Sequence, residues 1–238
     1  MKKIMTILAV ILFAFTGIGG SVFYLADIPA AVQEDQNKDN FDEDGDTNTT
    51  ASGYWSSSSY YASSFAGGTG ESDKPYLIET AAQLARMAYL INGSSYASYN
   101  TKSYELTADI DLSAHYWVPI GNDHDFMGTF YGGYHVIKGM TCYMSSATDS
   151  NYKVGCALFG NAKKDAEIYA FSMTSISITT ASVAFDTSKY YKFAGVVAQL
   201  SCDSGSCMLF NVNIFGSIQS SFTGSPYELL MGGAVGYA

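Results

Sequence analysis

The hydrophobic and polar positions divide the chain into an apolar start, a polar stretch and a long patterned remainder. After Lys2 and Lys3, residues 4–25 carry no charge, as in the basic and apolar regions of a secretory signal peptide. A run of this length can also span a bilayer. Residues 1–31 are therefore predicted to be a signal peptide or an N-terminal membrane anchor. The protein is expected outside the cytoplasm, either secreted or anchored at the cell surface.

One helix is predicted within the remainder. Thr80 and Gln83 have the spacing of a capping box, and Asn92-Gly93 is a stop signal. Between these signals, apolar residues recur on one helical face, which predicts an amphipathic helix from about Ala81 to Ile91 with the buried positions Leu84, Met87, Ala88 and Ile91. After it the period changes to two. This alternation predicts a strand with one buried and one solvent-facing side, its apolar positions being Tyr104, Leu106, Ala108, Ile110 and Leu112.

A repeat with a period of 38 residues runs through the second half of the chain. Three segments share a pattern of small and apolar residues, with small residues at Ala157, Gly160, Gly195, Ala198, Gly233 and Gly236. In the same phase, Ile176 aligns with Ile214 and Thr174 with Val212. A fixed period of this size is typical of stacked solenoid turns, in which neighbouring turns bury each other's inner faces.

The composition supports a β-rich fold and excludes one class of partner. Tyrosine (19), phenylalanine (14) and glycine (23) are abundant and proline (4) is rare, which favours many short strands and tight corners. The net charge is −10, and a chain with one arginine lacks the basic stripe that nucleic acid requires. Acidic residues concentrate between Glu34 and Asp46, and a Ser/Tyr-rich stretch follows. Residues 32–64 are therefore predicted to be a disordered linker.

Four cysteines lie in the exported part of the chain, where disulfides persist: Cys142, Cys156, Cys202 and Cys207. Cys202 and Cys207 flank a short turn and are the predicted disulfide. The three histidines show no zinc-ligand spacing, so neither a metal nor a cofactor is predicted.

An ordered series of motifs resembles the leader of bacterial GLUG-motif surface proteins: Phe65–Gly70 through Lys74–Ile78, Thr80–Leu84, Leu106–Leu112, Trp117–Gly121 and Phe126–Phe130. The segments that start at Ala157, Gly195 and Gly233 resemble the GLUG repeats themselves. The resemblance covers residues 65–238. It implies an all-β fold, a right-handed parallel β-helix (a β-solenoid) whose one N-terminal α-helix caps the open end. It also implies display outside the cell, often in adhesins and near exported IgA-cleaving peptidases.

Two tyrosines depart from this family pattern. Where the family has Phe-Asp-Gly-Asn-Gly-His, this chain has Phe130-Tyr-Gly-Gly-Tyr-His135, so Tyr131 and Tyr134 replace residues suited to a tight turn. The chain stops at Ala238, directly after a repeat start and without a polar terminal cap. We therefore expect an incomplete gene product.

Three functions fit these patterns. In a surface module that binds a glycan or a protein, tyrosines beside the polar insertions supply an apolar face and a polar tip, and the predicted ligand-binding residues are Tyr152, Tyr190, Tyr191 and Tyr227. In a polysaccharide-cleaving enzyme, paired acids do the chemistry, the candidates being Asp109, Asp111, Asp123 and Asp125. The third function is a purely structural stalk. We expect the non-catalytic module, with a partner on a host or neighbouring cell and with membrane contact only through the N-terminal segment.

Overall fold

Strands dominate the residues that the structure describes, and one α-helix interrupts them. The computed structural model describes residues 51–146, 149–180, 190–202, 205–218 and 228–238, so the predicted signal or anchor segment lies outside the described residues. Helix α1 spans Ala81–Asn92, and two short 3-10 helices span Tyr96–Ser98 and Ser150–Tyr152. The strands are β1 (Tyr76–Ile78), β2 (Ser103–Leu106), β3 (Ile110–Asp111), β4 (Thr129–Tyr131), β5 (Val136–Lys138), β6 (Thr141–Met144), β7 (Phe159–Lys163), β8 (Glu167–Thr180), β9 (Tyr190–Ala194), β10 (Val197–Ser201), β11 (Met208–Ile218), β12 (Glu228–Gly232) and β13 (Val235–Tyr237).

Helix α1 begins where the capping signal predicts and ends one residue later than expected. Thr80 Oγ1 accepts a hydrogen bond from the Gln83 N–H at 3.3 Å, and Gln83 Oε1 accepts one from the Glu79 N–H at 2.8 Å. The apolar face is buried as predicted, and its side chains Leu84, Met87, Ala88 and Ile91 join the core that the strands form. No helix among the described residues combines the length and the apolar character needed to cross a membrane.

Every pairing between these strands is parallel. β1 pairs with β2, β2 with β4, β4 with the start of β8, and β8 with β11, so successive passes of the chain lie side by side in chain order. In the same way β3 pairs with β5 and β5 with the middle of β8, while β7, β10 and β13 form a sheet of their own. Parallel neighbours require the chain to return to its starting side before each new strand. The described part of the chain is therefore all-β, with parallel sheets and one α-helix, as predicted.

Strand β8 changes direction twice within one pass. Its consecutive parts pair with β4, β5 and β6. Two non-glycine residues in the left-handed conformation separate these parts, Ala170 at φ 62° and Ser175 at φ 53°. Asn211 of β11 lies opposite Ala170 and is also left-handed, at φ 53°. Because a left-handed residue bends an extended chain, β8 consists of three straight segments joined at two corners.

The predicted repeat is aligned in the sheet of β7, β10 and β13. Val197 pairs with Phe159 on one side and with Val235 on the other, a shift of 38 residues in each case. A Cβ atom at Gly160 would lie 2.8 Å from the carbonyl oxygen of Gly121, so this position requires glycine for close approach. The register places the small repeat residues in two columns, Ala157, Gly195 and Gly233 in one and Gly160, Ala198 and Gly236 in the other.

The 38-residue phase is wrong for strands β8 and β11. Ile214 pairs with Met173 rather than with Ile176, and Val212 is shifted in the same direction. The reason is the connection that precedes each strand. Three residues join β7 to β8, whereas six join β10 to β11.

The four cysteines occupy two environments. Cys202 and Cys207 form a disulfide that closes the longer connection between β10 and β11, with their Cα atoms 5.8 Å apart. Cys142 and Cys156 are free and buried. Burial, followed by the contact with Cys142, raises the pKa of the Cys156 thiol. The Cys156 thiol therefore stays protonated, and both buried cysteines belong to the core.

Aromatic side chains fill the interior. The Phe159 ring lies 5.1 Å from the Phe126 ring and 5.3 Å from the Phe130 ring, between centroids. Trp117 Nε1 donates a hydrogen bond to the Leu158 carbonyl oxygen at 3.0 Å, which satisfies the one polar atom of this buried side chain. These rings belong to a single cluster that also includes the helix.

The linker prediction is wrong for residues 51–64, which pack on the strands. Trp55 is only 8% exposed, and its Nε1 donates a hydrogen bond to the Leu112 carbonyl oxygen at 3.1 Å. The Trp55 N–H also bonds to the carbonyl oxygen of Tyr116 at 3.0 Å. The serine-rich composition predicts disorder, but one buried tryptophan and these backbone bonds attach the segment. The folded part therefore begins before Phe65.

Candidate ligand-binding surface

The tyrosines predicted to bind a ligand do not form a surface. Tyr152 is 4% exposed and Tyr191 3%, so neither ring is available to a ligand in solvent. Tyr152 Oη accepts a hydrogen bond from the Tyr143 N–H at 3.0 Å, and burial raises the pKa of its phenol. These two predictions are corrected, because Tyr152, at the end of a short 3-10 helix, and Tyr191, within β9, both pack into the core. The Tyr190 side chain and the whole of Tyr227 lie outside what the structure describes.

A different set of aromatic side chains lines the outer face of neighbouring strands. The register pairs Tyr131 of β4 with Tyr169 of β8, and Tyr169 with Phe210 of β11. Ring centroids are 5.2 Å apart in the first pair and 4.6 Å in the second, where the planes differ by 8°. The adjacent residues Phe130 and Ile168 are buried, so alternation along each strand turns the three rings outward. We call these three residues, together with Tyr134, the aromatic ladder.

Tyr134 stands at the side of the ladder and is its most exposed member, at 73%. Its ring is perpendicular to that of Tyr131, at an interplanar angle of 88° and a centroid distance of 6.2 Å. Its backbone is left-handed, at φ 63°, which costs about 1–2 kcal/mol for a residue with a Cβ atom. The Tyr134 N–H donates to the Ala170 carbonyl oxygen at 2.8 Å, which holds this conformation. Its exposure and its left-handed backbone make Tyr134 a candidate for contact with a ligand.

The ladder offers two kinds of group to a ligand. Neighbouring rings cover one another's faces, so Tyr131 and Tyr169 present ring edges and phenol hydroxyls, whereas Tyr134 can present a face. None of these three hydroxyls bonds to a described side chain or carbonyl group. Partial burial, followed by the nearby carboxylate of Glu167, raises the pKa of Tyr169, which keeps its phenol neutral and able to donate. Glu105 continues the column beside Tyr131 and adds an acceptor.

Sequence reasoning found part of this ladder but assigned it no function. Tyr131 and Tyr134 were the two departures from the family turn pattern, which is the signal that marks them. Phe210 lies 41 residues after Tyr169, so a search in the 38-residue phase misses it. The longer connection between β10 and β11 causes this difference.

The four acids considered for catalysis are engaged by neighbouring residues. Asp109 Oδ1 accepts a hydrogen bond from the Val136 N–H at 2.9 Å and lies 3.1 Å from His135 Nδ1, and the backbone bond is the main reason that its pKa is lowered. The pKa of Asp111 is lowered mainly by the Ser113 hydroxyl, which donates to it at 2.6 Å.

The other two acids of that set form ion pairs. Asp123 pairs with Lys153, and Asp125 pairs with Lys163 at 3.2 Å. Among the described residues, no group of three or more His, Cys, Asp or Glu side chains could hold a metal ion.

A cavity of about 330 Å³ lies at the end of α1, but its polar groups are used within the protein. Asn92 Oδ1 accepts hydrogen bonds from the N–H groups of Gly121 and Asn122, at 3.1 and 2.8 Å. Asn92 Nδ2 donates to the Pro119 carbonyl oxygen at 2.9 Å. Asn92 therefore ties the helix to the following loop rather than awaiting a ligand.

Comparison with known proteins shows a similarity over half of the chain. No protein-family model matches the chain, and no solved structure matches it. Over 119 residues the chain is 35% identical to a protein of Evansella cellulosilytica named "Putative Gly-rich membrane protein". This stretch is 50% of the present chain and 13% of the relative, so the chain spans a small part of the relative's length.

Proposed function

We propose that the chain is an exported, non-catalytic β-solenoid module that binds a neutral glycan at the cell surface through its aromatic ladder. The observation that carries this proposal is the register of Tyr131, Tyr169 and Phe210, which aligns three outward-facing rings across parallel strands beside the exposed Tyr134.

A right-handed parallel β-helix is the architecture that we propose for the strands. It explains why each pass of the chain pairs in parallel with the pass before it, and why β8 bends at two corners. The resemblance to GLUG-motif proteins supports the same architecture, with α1 as the cap of the first turn. On this proposal, the ladder runs along the solenoid axis.

A linear glycan fits the chemistry of the ladder better than a protein does. A specific protein interface buries roughly 1,200–2,000 Å² in total, whereas the ladder is a strip one side chain wide. Phenol hydroxyls and the carboxylate of Glu105 can exchange hydrogen bonds with sugar hydroxyls, and the Tyr134 ring offers an apolar face. The carboxylates of Glu105 and Glu167 would repel an anionic polymer, which favours a neutral one.

The state of the acids supports the absence of catalysis. Hydrolysis of a glycosidic bond needs one carboxyl group with a raised pKa as proton donor. Asp109 and Asp111 have lowered pKa values, and Asp123 and Asp125 are paired with lysines. The location at the cell envelope is supported by the uncharged run at residues 4–25 and by the name of the matching relative, a membrane protein.

A glycan array probed with the full chain, solubilised in a non-ionic detergent, tests the function. We expect saturable binding to neutral polysaccharides that is lost in Tyr134→Ala and in Tyr131→Ala. Tyr96→Ala is the matched control, because Tyr96 is exposed, lies outside the ladder and stacks on His124 in a different element.

Each alternative function predicts a different result of this experiment. Absence of binding to any glycan would favour the structural stalk. Release of unsaturated or reducing sugars from a polysaccharide would favour the enzyme. Equal loss of binding in the ladder variants and in Tyr96→Ala would show that the ladder is not the binding surface.

A further inference from the structure

Arg86, the one arginine of the chain, lies in a cavity away from the ladder. It projects from α1 into a space of about 260 Å³, lined also by Ser64, Phe65, Gly67, Gly68, Tyr76 and Tyr99. This volume is slightly below the roughly 300 Å³ of the smallest typical ligand pockets, so the cavity can hold no more than a single ring-sized group.

The guanidinium of Arg86 is not neutralised within the described part of the chain. Its Nη1 donates a hydrogen bond to the Ala62 carbonyl oxygen at 3.1 Å, and its carbon atom lies 5.7 Å from the centre of the Phe65 ring. Its Nε is out of reach of solvent and has no acceptor. No ion pair of the described residues includes Arg86, although the chain has a net charge of −10. The remaining N–H groups on Nη1 and Nη2 have no acceptor among the described residues, so they can donate to a negatively charged group.

The walls of this cavity are aromatic rings and bare backbone. The rings of Phe65 and Tyr76 stack at 4.5 Å with planes 27° apart, and the Tyr99 ring lies 6.0 Å from that of Tyr76. Gly68 is left-handed, at φ 85°, and a Cβ atom there would lie 1.7 Å from the Pro75 carbonyl oxygen. Because a side chain at Gly68 would collide with the backbone of Pro75, this wall of the cavity consists of backbone alone.

We propose that the Arg86 cavity binds one acidic sugar ring, with the carboxylate on the guanidinium and the ring against the aromatic wall. Arginine forms short, charge-assisted hydrogen bonds with carboxylates, and its planar fork matches their geometry. A ring-sized cavity with aromatic walls fits a pyranose better than an extended peptide, which binds along a strand edge or a groove. This site is independent of the neutral glycan proposed for the ladder.

Calorimetric titration of the full chain with sodium glucuronate tests the proposal. Glucose tests the need for the carboxylate, and N-acetylaspartate tests the need for the ring. We expect glucuronate to bind and Arg86→Gln to weaken it by about tenfold to hundredfold, the range for a hydrogen bond to a charged group. Lys102→Gln is the control, because Lys102 is a cation outside the cavity that pairs with Glu71.

Several outcomes would overturn the proposal. These are equal binding of glucose, equal binding of N-acetylaspartate, no binding of glucuronate, and unchanged affinity in Arg86→Gln. If Arg86→Gln does not fold, Arg86→Lys decides, because it keeps the charge and loses the fork, and undiminished affinity there contradicts the proposal. Tyr131→Ala separates the two sites, since it should abolish binding at the ladder and leave glucuronate binding unchanged.

Discussion

Replacing Trp55 tests whether residues 51–64 belong to the folded part of the protein. Trp55→Ala removes a side chain that is nearly buried and leaves the Leu112 carbonyl oxygen without its donor. Truncating a buried tryptophan costs about 3–5 kcal/mol. Trp55→Phe keeps most of the apolar contact and loses the hydrogen bond, so we expect a smaller loss of about 1–3 kcal/mol.

Urea unfolding followed by circular dichroism and by tryptophan fluorescence measures both losses. The chain has two tryptophans, so Trp55→Phe leaves Trp117 as the single probe of the core. Ser58→Ala is the matched control, because Ser58 is exposed in the same segment and should change the free energy of unfolding by less than about 0.5 kcal/mol. Limited proteolysis should cleave Trp55→Ala within residues 51–64 faster than the unmodified protein.

Two results would refute this reasoning. A loss below about 1 kcal/mol in Trp55→Ala would mean that the segment is not attached through this side chain. Equally rapid cleavage of Trp55→Ala and the unmodified protein within residues 51–64 would mean that the segment is accessible in both, as the linker prediction from the sequence requires.

Three further predictions concern stability. Lys164→Gly should raise the free energy of unfolding by about 0.5–1 kcal/mol in thermal or urea unfolding, because the exposed Lys164 is left-handed, at φ 58°, and glycine removes that strain at a smaller entropic cost. The double change Cys202→Ser, Cys207→Ser should lower it by about 2 kcal/mol, the loop-closure value for a short disulfide loop, in unfolding experiments with and without a reductant. Asp109 has a lowered pKa in the folded protein, so its contribution to stability is present above the unfolded pKa and is lost as the pH falls through the folded pKa. In Asp109→Asn, the free energy of unfolding should therefore fall less steeply as the pH is lowered.

Each of these predictions has its own contradicting result. Lys164→Ala keeps the Cβ atom, so an equal gain in this control would assign the effect to the lost charge rather than to strain. If a reductant changes the free energy of unfolding of the double cysteine variant, a second pair of cysteines contributes to stability. Parallel pH profiles of Asp109→Asn and the unmodified protein would show that a different carboxyl group governs unfolding in acid.

The sequence predicts those features that depend on short-range periodicity. The spacing of Thr80, Gln83 and the apolar residues was sufficient to predict α1, because capping and amphipathicity depend on residues close in sequence. The small residues of the repeat were sufficient to predict the register of β7, β10 and β13. Each column of small residues lets neighbouring backbones approach closely at the same position of the repeat.

The features that sequence reasoning missed depend on contacts between distant residues. Trp55 attaches residues 51–64 to the strands through a hydrogen bond to the Leu112 carbonyl oxygen, and a serine-rich composition cannot reveal this contact. The direction in which a strand tyrosine points depends on its position in the alternation, so Tyr191 in β9 is buried while Tyr169 in β8 faces outward. A difference of three residues in one connection shifts every later pair of its strand.

The disulfide-closed connection between β10 and β11 also bears on the shape of the outer surface. Its extra residues displace the pairing of β11, yet β12 and β13 return to the 38-residue spacing against β9 and β10. The three additional residues of this connection are thus compensated before β12 begins. A change in the length of this connection should therefore reshape the outer surface locally while the register of β12 and β13 is kept.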